Sequence, residues 1–164
     1  MTLILSFATA NKVIQVSDRR LTKPDGSLYD DEANKVICVG CSDSYFAIGY
    51  SGLGTISTGK RTDEWLVDYL ASINVEQMTL NSIVEKIKLY STKTLKTLNC
   101  PKKYKALTFV LAGYCNRTPF IAQVSNVENE KMEKLSEADD IFHSVAFWKK
   151  ADANPKTASI LTVH

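Results

Sequence analysis

Two short apolar, β-branched runs, residues 2–8 and 12–16, open the chain, with Thr9-Ala10-Asn11 between them. Runs of that length joined by a small polar turn predict an antiparallel hairpin. The pattern then becomes polar at Lys23-Pro24-Asp25-Gly26-Ser27 and acidic at Asp30-Asp31-Glu32, predicting a turn-rich loop away from the sheet. Residues 35–39 and 45–50 predict a second strand pair around Gly40-Cys41-Ser42-Asp43-Ser44. After Ser51-Gly52-Leu53-Gly54 the apolar period lengthens from two to about 3.6. Trp65, Leu66, Tyr69, Leu70 and Ile73 then share one face of a helix, with Thr62 as its cap and Asp63 and Glu64 in its first turn. Thr79 caps a second helix whose buried stripe is Leu80, Ile83, Val84, Ile87 and Tyr90, and which ends before Pro101. Residues 107–112 and 120–124 form a third strand pair through Gly113-Tyr114-Cys115-Asn116-Arg117. Residues 128–137 read as a polar loop, followed by strands at 141–148 and 159–163.

Strands, two consecutive helices and strands again make an α+β order rather than an alternating one. Neither a repeat nor a linker interrupts it, so residues 1–164 are expected to form a single domain. The 164 residues are 45% hydrophobic and 23% charged, with 7 Gly and 4 Pro, which excludes a disordered or fibrous chain. Twenty basic against 18 acidic residues leave +2, too little for a whole-surface field toward nucleic acid or anionic lipid. The longest apolar runs, such as Phe109-Val110-Leu111-Ala112, fall far short of the ~18 residues of a membrane span. Residues 3–8 precede a leader-like Ala8-Thr9-Ala10, but they follow no basic residue and are shorter than a signal core of ~7–15 residues. They are read as a strand and the protein as cytoplasmic, without a membrane partner.

Of the four cysteines, Cys38 and Cys41 have Cys-x-x-Cys spacing, while Cys100 and Cys115 stand apart. Zinc would need a second close pair of ligands, and a redox motif would open a helix, whereas Val36-Ile37-Cys38-Val39 reads as a buried strand. The expectation is buried thiols in a reducing compartment, with no metal and no cofactor. Trp65 and Trp148 are read as core. The chain has no G-x-S-x-G elbow, phosphate loop or H-E-x-x-H, and its two histidines are His143 and His164, so serine–histidine and cysteine–histidine chemistry is not expected.

One nucleophile needs no histidine. Removing Met1 would leave Thr2 with a hydroxyl and a free α-amine on the same residue. That amine, with a reference pKa of ~7.7–8.0, is partly neutral near pH 7 and can serve as general base. Such a site needs fixed positive charge nearby, which Lys35, oriented by Asp18, would supply.

The order Thr2-Leu3-Ile4, Val13-Ile14-Gln15-Val16-Ser17-Asp18-Arg19-Arg20-Leu21-Thr22, Lys35-Val36-Ile37 and Tyr50-Ser51-Gly52 resembles the opening of the proteasome β-type N-terminal-nucleophile hydrolases. The resemblance covers about the first 125 residues, and the sixteen-residue step from Thr2 to Asp18 matches that family. It implies a four-layer αββα sandwich, here with a shortened C-terminal part. It implies Thr2 as nucleophile, Asp18 and Lys35 as its charge partners, and the Gly52 amide as oxyanion donor, with Arg20 and Ser51 as structural neighbours. It also implies a homo-oligomer acting on peptides or small amides. The family's glycine-serine segment has no counterpart, the nearest place being Phe142-His143-Ser144-Val145.

Two other functions compete with this one. A catalytically inactive, proteasome-like scaffold or binding module would retain Met1. A nucleic-acid binder would use Lys86, Lys88, Lys93, Lys96, Lys102, Lys103 and Lys105 on phosphates and stack bases on Tyr90 or Tyr104. The same run is equally a solvated helix face, and nucleic acid is not the expected partner.

Overall fold

A computed structural model describes residues 3–23, 25–56, 59–131, 133–146 and 159–163. In chain order the strands before the helices are β1 (Ile4–Ala8), β2 (Val13–Ser17), β3 (Leu21–Thr22), β4 (Leu28–Asp30), β5 (Val36–Gly40), β6 (Ser44–Gly52), β7 (Thr55–Ile56) and β8 (Lys60–Arg61). Helices α1 (Thr62–Ser72) and α2 (Leu80–Thr97) follow, then β9 (Leu107–Cys115), β10 (Thr118–Ser125), β11 (His143–Ala146) and β12 (Ser159–Val163). The three expected strand pairs all form and are all antiparallel. Two short hairpins, β3–β4 and β7–β8, occupy stretches read as loop, because two or three residues are too few for an alternation to register.

The strands make two facing sheets. One is three-stranded in the order β12-β1-β2, and the other five-stranded in the order β11-β10-β9-β6-β5. Ile4 and Ala8 of β1 pack on Val110, Ala112 and Ile121 of the larger sheet. Gly49 permits the close approach, since a Cβ there would already touch the Ile4 side chain at 3.3 Å. The opposite face of the larger sheet, with Phe46, Ile48, Phe109, Leu111 and Val124, receives Trp65 and Leu66 of α1 and Ile83, Ile87 and Leu95 of α2. Each such residue, fully buried, stabilises the fold by about 1.5–3 kcal/mol. The helices are locked to one another by an aromatic stack in which the Tyr90 ring lies 4.9 Å from Trp65 and 3.7 Å from Tyr69.

The expected four-layer αββα sandwich is therefore corrected. The described residues are mostly β, 40% strand against 25% helix, with two α-helices and a five-stranded antiparallel sheet among them. Both helices cover the same sheet face, giving the order helix, sheet, sheet. The reason lies after β10: the described residues there add strands β11 and β12 and an isolated Glu128–Lys134 bridge, so no second helix layer forms among them. The outward face of the three-stranded sheet accordingly leaves Leu3, Leu5, Ile14 and Val16 exposed. Among the described residues no helix is long and apolar enough to cross a membrane.

The helix starts follow the sequence with one shift. Thr79 caps α2, its hydroxyl accepting the Ser82 N–H at 3.4 Å. Thr62 is instead the first residue of α1 and donates its hydroxyl to the Leu53 carbonyl at 2.5 Å, while Glu64 accepts the Arg61 N–H. The cysteines also differ from expectation. Cys38 is exposed because β5 is an edge strand, while Cys41 in the β5–β6 turn, Cys100 beyond the end of α2 and Cys115 at the end of β9 are half-buried.

Asp43, in the β5–β6 turn, supplies a second cap to α2 by accepting the Leu80 N–H at 2.9 Å. Burial by itself would raise its carboxyl. The Leu80 amide, the Ser44 hydroxyl and the Cys41 thiol donate to it and hold it below its ordinary value. A lowered folded pKa contributes stability above the unfolded value of about 3.9 and loses it as pH falls through the folded value. Asp43→Asn should therefore cost about 1 kcal/mol in urea unfolding at pH 7. The gap to wild type should shrink as pH drops below about 4. A gap unchanged down to pH 2 would contradict this account of the cap.

Candidate active site

At one end of the larger sheet, the start of β5, the end of β6, the start of β9 and the end of β10 lie side by side. The residue before β5 is Lys35, whose carbonyl accepts the Tyr50 N–H at 3.3 Å. Its side chain is 0% exposed, and its ammonium donates to Asp18 Oδ1 at 2.9 Å and to the Arg20 carbonyl. Burying an ammonium costs several kcal/mol unless a carboxylate and polar groups replace its water. Asp18 and Arg20, in the segment following β2, provide both.

Asp18 also continues the β1–β2 ladder beyond the hairpin. Its N–H donates to the Leu3 carbonyl at 3.1 Å, and its carboxylate accepts the Leu3 N–H at 3.3 Å. One side chain thus fixes both the backbone at residue 3 and the buried ammonium. Thr2 itself lies outside the described residues. Arg20 contributes its carbonyl to Lys35, while its own side chain is exposed.

Gly52 ends β6 opposite Leu107 with φ 105°, a conformation that L side chains rarely adopt. A Cβ there would run into the Ala106 carbonyl, which instead accepts the Leu53 N–H at 2.8 Å. The buried Asn126 amide fixes that facing segment, accepting the Leu107 N–H at 2.8 Å and donating to the Lys105 and Asp139 carbonyls at 2.9 Å each. Gly52 lies at the edge of a cavity of about 480 Å³, whose other residues include Thr22 and Tyr104. The β3–β4 hairpin that forms one wall is tied to α1 by Arg61, which pairs with Asp30 at 3.2 Å and Asp63 at 2.9 Å. Tyr50 donates to Asp63 at 3.4 Å, and burial, aided by that carboxylate, pushes its phenol well above the usual range.

Sequence reasoning named Ser51 but missed the row of hydroxyls to which it belongs at this same end. Ser51 stands opposite Thr108 and Thr108 opposite Ser125, all three buried, with the Thr108 and Ser125 hydroxyls 2.8 Å apart. By strand alternation this row faces the N-terminal sheet, as Val110 and Ile121 do. Ser144, in the segment suggested for the missing serine, stands instead opposite Val124, on the helix-facing row. The available signal was that each hydroxyl sits at or next to the end of an apolar strand.

The lysine run is partly spent within the fold. Lys105 is buried and donates to the Leu95 carbonyl at 2.8 Å, Lys88 pairs with Glu85 at 3.1 Å, and Tyr90 lies within the helix stack. Among the described residues no cluster of three or more His, Cys, Asp or Glu side chains could hold a metal ion. Comparison of the sequence with protein-family models and with curated proteins finds no match.

Proposed function

We propose that the protein is a threonine-type N-terminal-nucleophile amide hydrolase acting on peptides or small amides. The observation that carries this reading is the buried Lys35–Asp18 pair, whose carboxylate also holds the backbone at Leu3, the residue after Thr2. After loss of Met1, the Thr2 hydroxyl attacks the amide carbonyl and the α-amine takes its proton. The tetrahedral oxyanion forms beside Gly52, and the amine returns the proton to the departing nitrogen. Water then hydrolyses the threonine ester, the same amine acting as base. The Lys35 charge keeps the amine neutral at working pH, and Asp18 keeps Lys35 in place. The reading requires no metal or cofactor. The position of this pair, one residue from Thr2, is what favours the enzyme over an inactive scaffold.

Self-association, in the cytoplasm, belongs to the same proposal. The outward positions of β1 and β2 are more apolar than the inward ones, where Ser6 and Gln15 bond each other at 3.0 Å. A second copy covering Leu5 and Val16 would bury this face. Light scattering at micromolar concentration should give an oligomer; a monomer would contradict this part.

Hydrolysis is tested with a diverse peptide-amide library and protein whose N-terminus has been sequenced by mass spectrometry. Wild type should begin at Thr2, Thr2→Ala should lose turnover, and Lys35→Met should lose about 100-fold or more. Retained Met1, or equal slow rates for wild type and Thr2→Ala, would overturn the reading and leave the scaffold.

A further inference from the structure

The cavity beside Gly52 has a charge of one sign. Its floor is the Gly52-Leu53-Gly54-Thr55 backbone. The β3–β4 hairpin brings Lys23 and Tyr29 to its lining, and the segment before β9 brings Lys103 and Tyr104. Among the described residues no Asp or Glu lines it. The nearby acids are engaged elsewhere: Asp25 accepts from Ser27 at 2.7 Å and 2.9 Å, Asp30 pairs with Arg61, and Asp140 lies 3.5 Å from Lys105. Among the described residues neither Lys23 nor Lys103 has a carboxylate within ion-pair distance. The Lys103 ammonium is held 4.8 Å from the Tyr104 ring centre, which limits how far its charge can swing from the cleft.

We propose that this cleft binds the acidic side chain of a peptide, making the enzyme selective for peptides that carry a glutamate-sized residue. The inference rests on the hydrolase reading only in treating the bound peptide as substrate. Leu21 and Leu53 offer apolar surface to the methylene stem, while the Lys23 and Lys103 ammonium groups and the Tyr29 and Tyr104 phenols, which line the same cleft, are available to its carboxylate. A volume of about 480 Å³ suits one such side chain with the backbone on either side of it. The lysines are exposed and stay hydrated until a ligand arrives, so they add selectivity without the cost of a buried unpaired charge.

Binding separates this inference from the chemistry. The Thr2→Ala protein is titrated, with fluorescence anisotropy as readout, against two dye-labelled, C-terminally amidated peptides that differ only in Glu against Gln. The Glu peptide should bind about tenfold more tightly at low salt. That preference should shrink as salt rises and disappear in a Lys23→Ala/Lys103→Ala variant whose thermal unfolding matches the parent. Equal affinities, or a preference that survives loss of both lysines, would overturn the proposal. If wild type hydrolyses both peptides equally, this inference fails and the hydrolase reading stands. If the lysine-dependent Glu preference is present and wild type hydrolyses neither peptide, the cleft's ligand stands and the hydrolase reading fails.

Discussion

An ammonium group buried at the junction of two sheets is the constraint around which this molecule is built. Lys35 stands at the start of an edge strand of the larger sheet, yet its charge is neutralised by Asp18, which belongs to the N-terminal sheet. Because Asp18 also holds the Leu3 backbone in both directions, the sheets cannot slide past one another without exposing or unpairing that charge. Apolar packing of Ile4 against Val110 and Ile121 brings the sheets together but does not fix their register. A charged pair with one correct geometry does.

The two ends of the five-stranded sheet serve different purposes. One end carries Lys35, Gly52, the hydroxyl row and the cleft. The other carries Asp43, which secures the start of α2 beneath the β5–β6 turn. Between them lies the helix-facing apolar core of Phe46, Ile48, Phe109 and Leu111 with Leu66, Ile83 and Ile87. Asn126 belongs to this scheme: its amide organises residues 105–107, and these in turn lie against the Gly52 turn.

The parts of this arrangement legible in the sequence were those written in local periodicity. The β1–β2 hairpin, the helix stripe from Leu80 to Ile87 and the Thr79 cap follow from residues within one or two turns of each other. The Asp18 and Lys35 positions were legible only by their spacing along the chain, and the structure brings them into contact. The layer count was not legible, because helix formation after β10 depends on which sheet face remains uncovered, a tertiary property. Nor was the hydroxyl row, since Ser51, Thr108 and Ser125 lie far apart in sequence and meet only through strand pairing. Cys38 escaped for the converse reason: its neighbours read as a buried strand, but that strand lies at the edge.

The central claim is that the buried Lys35–Asp18 pair activates the N-terminal residue, and covalent trapping tests it most directly. A peptide β-lactone, which acylates a nucleophile by ring opening without a leaving group, is incubated with wild type and Lys35→Met and read by intact mass and peptide mapping. The account predicts one equivalent of adduct on wild type, mapped to Thr2, and none on Lys35→Met. Equal labelling of Thr2 in both proteins, or an adduct confined to a cysteine such as the exposed Cys38, would contradict it.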